Sequence, residues 1–184
     1  CYDSFSWARR CVYDTALIQL RRAAPRPNAE LVTRVKRDIQ LLERVPVVSG
    51  WQVTALDISF DKNRDHVSRL LDADAKVFFC DHHFAGDIPQ HPLLDVLISP
   101  APEVCTSALI NGRLRGRFTE WACVGAFGDK LDSTADTLIE NPDITVDRDA
   151  LRQRGVSLKY TPYGDSHSDT PVAPSYLYHH RRHL

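Results

Sequence analysis

The sequence predicts an α/β fold with an open, mainly parallel sheet and helices on both faces. Apolar strand-like runs alternate with helical patterns up to about residue 140, and their spacing suits right-handed crossover connections. The run "KVFFC" at residues 76–80 is apolar on both faces, which is typical of a buried parallel strand.

Each predicted element rests on a local pattern. Residues 12–22 carry an apolar stripe at helical spacing and end in arginines, which favour a helix C-terminus. Gly50 separates a helical segment from the β-rich run "WQVTALDISF". Asp61 or Asn63 is the expected cap of the helix that follows. In chain order, the predictions are helix 12–22, strand 30–35, helix 37–45, strand 51–60, helix 61–75, strand 76–80, strand 93–99, helix 103–112 and helix 118–131.

The alternation decays after residue 140, where proline, polar and charged residues become frequent. We therefore predict a folded domain over residues 1–140 and an irregular extension, or a linker to an absent second domain, over residues 141–184. The sequence contains no methionine, so we expect the chain to be a processed or truncated piece of a longer protein.

Composition favours a cytoplasmic protein and gives no global signal for nucleic acid or membrane. The formal net charge is −1 and 43% of the residues are hydrophobic, which is ordinary for a globular domain. No apolar run is long enough to span a membrane. Cys80, Cys105 and Cys123 lie in apolar contexts without a suggestive pairing, so we expect reduced, buried thiols. The oligomeric state is not predicted.

Acidic and imidazole side chains follow two of the predicted strands. Asp57 comes late in the strand "VTALDIS", and Asp81, His82 and His83 follow "VFFC" directly. Ligands of open α/β sheets bind beyond the carboxyl ends of the strands, and these oxygen and nitrogen donors suit Mn²⁺ or a similar divalent ion. A single Asp at a strand end is commonly only a cap or turn residue, whereas an acid and two histidines after a buried strand favour a functional site.

These segments resemble the DHH phosphoesterase superfamily, which includes RecJ-like exonucleases, oligoribonucleases and manganese-dependent pyrophosphatases. The resemblance is carried by "VKRDI", "LDISFDKNRD", "DHHFAGDIP", "CTSAL" and "VGAFGD" in this order. It covers residues 1–135, the N-terminal catalytic domain of the family, and is closest to a bacterial branch sometimes labelled acetyltransferase.

The resemblance implies a metal-dependent hydrolase that acts on a nucleotide or a short single-stranded oligonucleotide. Asp57, His82 and Asp129 match the family's ligands for Mn²⁺ or Mg²⁺, of which the family binds two ions. His83 matches the residue that contacts the substrate phosphate, and Asp81 is expected to orient His82 or to touch the metal shell.

Three further residues are candidates for binding the substrate phosphate. Lys36 and Arg37 follow a predicted strand, and Ser107, beside Thr106, lies near a helix N-terminus. A solvated charge pair and a simple helix cap are the alternative interpretations of these positions.

The chain departs from the family at its first motif, an Asp-x-Asp-Gly that supplies metal ligands. Here "SWARRCVYDT" stands in its place, with Arg9 and Arg10 near the expected acids and Asp14 the only nearby carboxylate. We therefore expect one ion instead of two and impaired hydrolysis.

A binding module of the same fold that does not hydrolyse its ligand is the main alternative. An α/β domain with an incidental DHH triplet, or an acyl transferase, is the third, although a Gly-rich acyl-CoA loop is absent from the sequence.

Overall fold

A computed structural model describes residues 11–33, 40–140, 145–160 and 176–180. No helix within these ranges is long and apolar enough to cross a membrane. In chain order, the elements are α1 (Cys11–Ala23), β1 (Glu30–Thr33), a 3-10 helix (Leu41–Arg44), β2 (Gln52–Leu56), α2 (Phe60–Asp72), β3 (Lys76–Asp81), β4 (Leu94–Ile98), α3 (Thr106–Arg113), α4 (Thr119–Gly128), α5 (Asp132–Ile139), α6 (Arg148–Tyr160) and β5 (Tyr176–His180).

Within the described residues, the sheet has five strands in the order β1-β5-β2-β3-β4. Strands β2, β3 and β4 run parallel to one another, whereas β5 is antiparallel to β1 and β2. Leu56 pairs with Cys80, and Asp81 pairs with Ile98, so the parallel strands end at the same edge. The predicted open α/β sheet with parallel strands is confirmed, and the antiparallel β5 is an addition to it.

Helices cover both faces of the central strands, as the sequence predicts. On one face, Phe79 of β3 meets Phe60 of α2 edge-on, with ring centroids 4.9 Å apart. On the other face, Cys80 lies in a buried cluster with Leu17 of α1 and Ile110 of α3. Because successive strand residues face opposite sides, the apolar run of β3 supplies both clusters.

Several element boundaries differ from the predictions for local reasons. Strand β2 ends at Leu56 because Asp57 has a φ of 53°, outside the extended region. Helix α2 is capped by Ser59, whose hydroxyl accepts from the backbone N–H of Lys62 at 3.4 Å, instead of by Asp61 or Asn63.

A third difference concerns the segment after α3. The helix predicted over residues 118–131 ends at Gly128, and Lys130 takes a left-handed φ of 63° before α5 begins. No element is predicted over residues 132–139, where the structure has α5. In place of the helix predicted over 37–45, only the 3-10 turn at Leu41–Arg44 lies within the described residues.

The expectation of an irregular segment from residue 141 does not hold for α6 and β5. Leu151 of α6 is buried in one cluster with Phe127 of α4, and β5 completes the sheet between β1 and β2. A Cβ on Gly155 of α6 would lie 2.5 Å from the carbonyl oxygen of Val124, so the two helices are in close contact. These contacts are made with residues distant in sequence, and local composition therefore did not predict them.

The three cysteines predicted to be buried are buried. Cys80, Cys105 and Cys123 are free thiols in the core. Burial raises the pKa of Cys105 to about 12 and that of Cys80 further still, so both thiols stay protonated and unreactive at neutral pH.

Candidate metal centre

Asp57 lies at the carboxyl edge of the sheet in a backbone conformation that is uncommon for a non-glycine residue. Its φ is 53°, and its N–H still donates to the carbonyl of Cys80 at 2.8 Å. Its carboxylate is 1% exposed, and Oδ1 accepts a hydrogen bond of 2.8 Å from the hydroxyl of Thr106. Asp tolerates this conformation better than most residues, and three other non-glycine residues adopt it as well, so it does not by itself mark a functional site.

His82 contacts an oxygen atom with each ring nitrogen. Nδ1 lies 3.0 Å from the carbonyl oxygen of Val104, and because a carbonyl only accepts, Nδ1 carries a hydrogen. Nε2 lies 3.1 Å from Asp57 Oδ1, although the two atoms are poorly aligned for a hydrogen bond. A neutral ring would direct a lone pair at this carboxylate. The contact therefore requires either a proton on Nε2 or a cation shared by the two atoms.

His83 is oriented by the acid at the end of β3. Its Nδ1 lies 2.6 Å from Asp81 Oδ1, and the Asp81 side chain is fully buried. A carboxylate accepts from Nδ1–H, which leaves a lone pair on Nε2 of the neutral ring. Carboxylate–histidine pairs of this kind commonly fix the orientation of histidines that bind metals.

Asp57, His82 and His83 form a group whose potential ligand atoms all lie within 4.8 Å of one another. Asp57 Oδ2 is buried and has no hydrogen-bond partner among the described residues, so it retains the capacity to bind a cation. His82 Nε2 and Asp57 Oδ1 are 3.1 Å apart, close enough for both atoms to contact one cation. The donor set therefore fits a divalent cation.

The electrostatics of the metal-free site favour an ion pair. Burial lowers the pKa of His82, but the contact with Asp57 and its charge outweigh burial and raise that pKa to about 9. Burial raises the pKa of Asp57, and the contacts with His82 and Thr106 reverse this and hold the pKa below its ordinary value. At neutral pH a proton on His82 therefore occupies the place where a metal ion would bind.

The other predicted metal ligand, Asp129, lies beside this group and is not one of its three members. Asp129 follows the last residue of α4, and its negative charge favours the protonated form of His82. The compact group thus contains His83, which the resemblance assigns to the substrate phosphate, in place of Asp129. Asp81 orients His83 instead of His82, because its carboxylate reaches the ring two residues further on.

Of the three predicted phosphate-binding residues, only Ser107 lies in the part of the chain that the structure describes. Ser107 is fully buried; its hydroxyl accepts from Gln19 at 2.8 Å and donates to the carbonyl of Trp121 at 3.2 Å. The assignment of Ser107 to a substrate phosphate is therefore corrected: its hydroxyl joins helices inside the core. Lys36 and Arg37 lie outside the described residues.

Two residues that position the site were not assigned this role from the sequence. The Val104 carbonyl holds the His82 ring, and Thr106 holds the Asp57 carboxylate. The sequence "CTS" lies near the start of a predicted helix, which indicates an anion site at Thr106. It does not indicate a contact with Asp57. Val104 acts through its backbone, which leaves no signal in residue type.

A cavity of about 410 Å³ lies away from this group, around the amino ends of β2 and β3. Its lining includes Gln52, Lys76 and Arg113, and none of the predicted site residues. The candidate metal centre is a polar group at the rim of the sheet, and ion binding at such a rim does not need a large cavity.

No family model matches the chain, and no match to a curated protein or to a solved structure was found.

Proposed function

We propose that this chain is a divalent-metal-binding domain of the DHH phosphoesterase type that acts on a nucleotide or a short oligonucleotide. The observation that supports this most is the group formed by Asp57, His82 and His83 at the carboxyl edge of parallel strands. It combines a buried carboxylate with two imidazoles that are held by Val104 and Asp81. An incidental cluster would not be expected to orient both rings in this way.

The donor set favours Mn²⁺ over Mg²⁺. Mg²⁺ prefers oxygen ligands and keeps much of its water, whereas Mn²⁺ suits carboxylate oxygen and, as a first-row transition ion, also accepts nitrogen ligands. Two of the three side chains in the group are histidines. We therefore expect the chain to keep Mn²⁺ bound when Mg²⁺ is present at the same concentration.

The protein residues have separate roles in this scheme. Asp57, His82 and His83 hold the ion, and Asp81 and Thr106 keep the ligands in place. A bound divalent ion would lower the pKa of a water and offset charge on a phosphoester oxygen.

We further propose that the chain binds one ion and hydrolyses its ligand slowly. Arg9 and Arg10 stand where the family has the acids of its first motif, so a second ion would lack carboxylate ligands. Chemistry that needs two ions to stabilise attacking and leaving oxygens together loses most of its rate when one is missing. The same substitution supports the second candidate, a module that binds nucleotide or phosphate without hydrolysis.

A hydrolysis assay separates the two candidates. A dinucleotide is incubated with Mn²⁺ and the unmodified chain, or with a version in which Asn-Gly-Asp-Ala-Asp-Gly replaces the segment around Arg9 and Arg10. We expect little hydrolysis by the unmodified chain and a rate about 100-fold or more higher for the rebuilt version, which His82→Ala abolishes. A rebuilt version that binds Mn²⁺ and dinucleotide but does not cleave supports the binding module. Robust His82-dependent cleavage by the unmodified chain contradicts the proposed loss of an ion.

A further inference from the structure

Phe84, directly after the histidines of the candidate metal centre, is unusually exposed for a phenylalanine. Its relative exposure is 77%, and large apolar side chains normally lose most of their contact with water on folding. The other exposed large hydrophobic residues within the described ranges are less exposed: Val47 41%, Val48 39% and Val156 36%.

The backbone on both sides of Phe84 is held in place. His83 before it is bound to Asp81 at 2.6 Å. Ala85 after it is 7% exposed, and its carbonyl accepts from Arg64 of α2 at 3.0 Å. The phenyl ring is therefore presented to solvent by a fixed segment beside the metal centre.

The surroundings of Phe84 favour a small ligand over a protein partner. The residues that follow, Gly86 and Asp87, are exposed and contribute no large apolar side chain, and Ile88 packs against the core. Protein-binding surfaces are contiguous apolar patches, whereas a single aromatic face beside a phosphate site is the arrangement on which nucleobases stack. Phe84 directly follows His83, so the Cα atoms of the two residues are about 3.8 Å apart, which is shorter than one nucleotide.

We propose that Phe84 stacks on the base of a nucleotide whose phosphate is bound by the divalent ion that Asp57, His82 and His83 would hold. The inference rests on the proposed function and adds a ligand class to it: phosphoesters with a base or another flat ring bind better than phosphoesters that lack one. Every base has a π-face, so the stacking selects for a ring and not for one base.

Calorimetry on the Mn²⁺-loaded full chain tests the inference with AMP and with ribose 5-phosphate, which lacks the base. Phe84→Ala should weaken AMP binding about fivefold or more and leave the affinities for Mn²⁺ and ribose 5-phosphate unchanged. Phe84→Trp should retain AMP binding. Val48→Ala is the matched control, because Val48 is an exposed apolar residue that precedes β2, toward the other edge of the sheet.

The possible failures are distinguishable. If the chain binds Mn²⁺ and ribose 5-phosphate but Phe84→Ala leaves the AMP affinity unchanged, the inference is wrong and the proposed function stands. Sedimentation that shows a dimer dissociated by Phe84→Ala, with AMP affinity intact, assigns the ring to a second copy of the chain and also overturns the inference. A chain that does not bind Mn²⁺ overturns the proposed function and the inference together.

Discussion

His82 is held at both ring nitrogens, by the carbonyl of Val104 and the carboxylate of Asp57. The first contact fixes the hydrogen on Nδ1, so Nε2 is the atom available to a proton or to a metal ion. The buried carboxylate of Asp57 stabilises either positive charge, the proton on Nε2 or a metal ion. The residue pair therefore couples metal binding to proton release, and in the metal-free chain it couples stability to pH.

The stability of the metal-free chain should fall as pH rises from neutral. The pKa of His82 in the folded state is about 9, above the ordinary value of 6.5, so the folded state binds more protons than the unfolded state in this range. The contribution of His82 is full below pH 6.5 and is lost as pH rises through 9. The pKa of Asp57 is lowered from 3.8, so its contribution is present above that pH and is lost in more acidic solution.

Urea unfolding of the unmodified chain and of His82→Gln, both with a chelator, measures this dependence. The difference in free energy of unfolding should be on the order of 3 kcal/mol at about pH 5.5 and should shrink as pH passes the pKa of His82. His66→Gln, on α2, controls for the loss of a histidine elsewhere. If the difference in free energy of unfolding stays constant from about pH 5.5 to above the pKa of His82, then His82 and Asp57 do not form a charged pair in the folded state.

At the scale of elements, the start of α3 determines how well the site is ordered. The segment after β4 brings Val104 to His82 and Thr106 to Asp57. It therefore supports the two ligands that directly follow β2 and β3. Thr106 is completely buried, and its hydroxyl donates to the Asp57 carboxylate at 2.8 Å. Residues that orient metal ligands commonly affect affinity strongly without touching the metal.

Thr106→Val should weaken Mn²⁺ binding by about tenfold or more, because it keeps the shape of the side chain and removes the donor. Thr106→Ser should restore most of the affinity. Thr137→Val is the control, since the Thr137 hydroxyl donates to a carbonyl within α5. Equal Mn²⁺ affinities of the Val and Ser variants at position 106 would exclude the proposed role of the hydroxyl.

The sequence predicts the edge where the site lies but not how its residues pair. Asp57 and Asp81 each end an apolar run, and parallel strands bring such ends together. The contact between His82 and Val104 spans 22 residues, and the left-handed backbone of Asp57 is set by tertiary contacts, so neither follows from local pattern. His83 belongs to the ligand group because its ring lies close to Asp57 and His82 in space, and this too does not follow from the local pattern.

At the scale of the whole molecule, α6 and β5, which lie in the described parts of the C-terminal segment, belong to the packed structure. Helix α6 lies against α4, and β5 pairs with both β1 and β2. The composition after residue 140 is polar and proline-rich, which favoured an irregular segment. Burial of Leu151 and the close approach of Gly155 to Val124 are long-range contacts, and these decide the structure there instead of local propensity.

Gly155→Ala tests this packing. The added Cβ would lie 2.5 Å from Val124 O and 2.9 Å from Gly128 N, both backbone atoms, so the helices must move apart. We expect the free energy of unfolding to fall by about 1–3 kcal/mol. Gly112→Ala in α3 is the matched control, because its Cβ would meet nothing within 4 Å; it should stabilise the chain by about 0.5–1 kcal/mol. If both substitutions stabilise the chain, α6 does not pack on α4.

Titration calorimetry with Mn²⁺ tests whether Asp57, His82 and His83 together bind one divalent cation. We predict one ion per chain, with affinity reduced by about tenfold or more in each of Asp57→Asn, His82→Ala and His83→Ala. His66→Ala should bind Mn²⁺ as the unmodified chain does. Absence of Mn²⁺ binding by the unmodified chain, or an affinity that none of the three substitutions changes, would contradict this prediction.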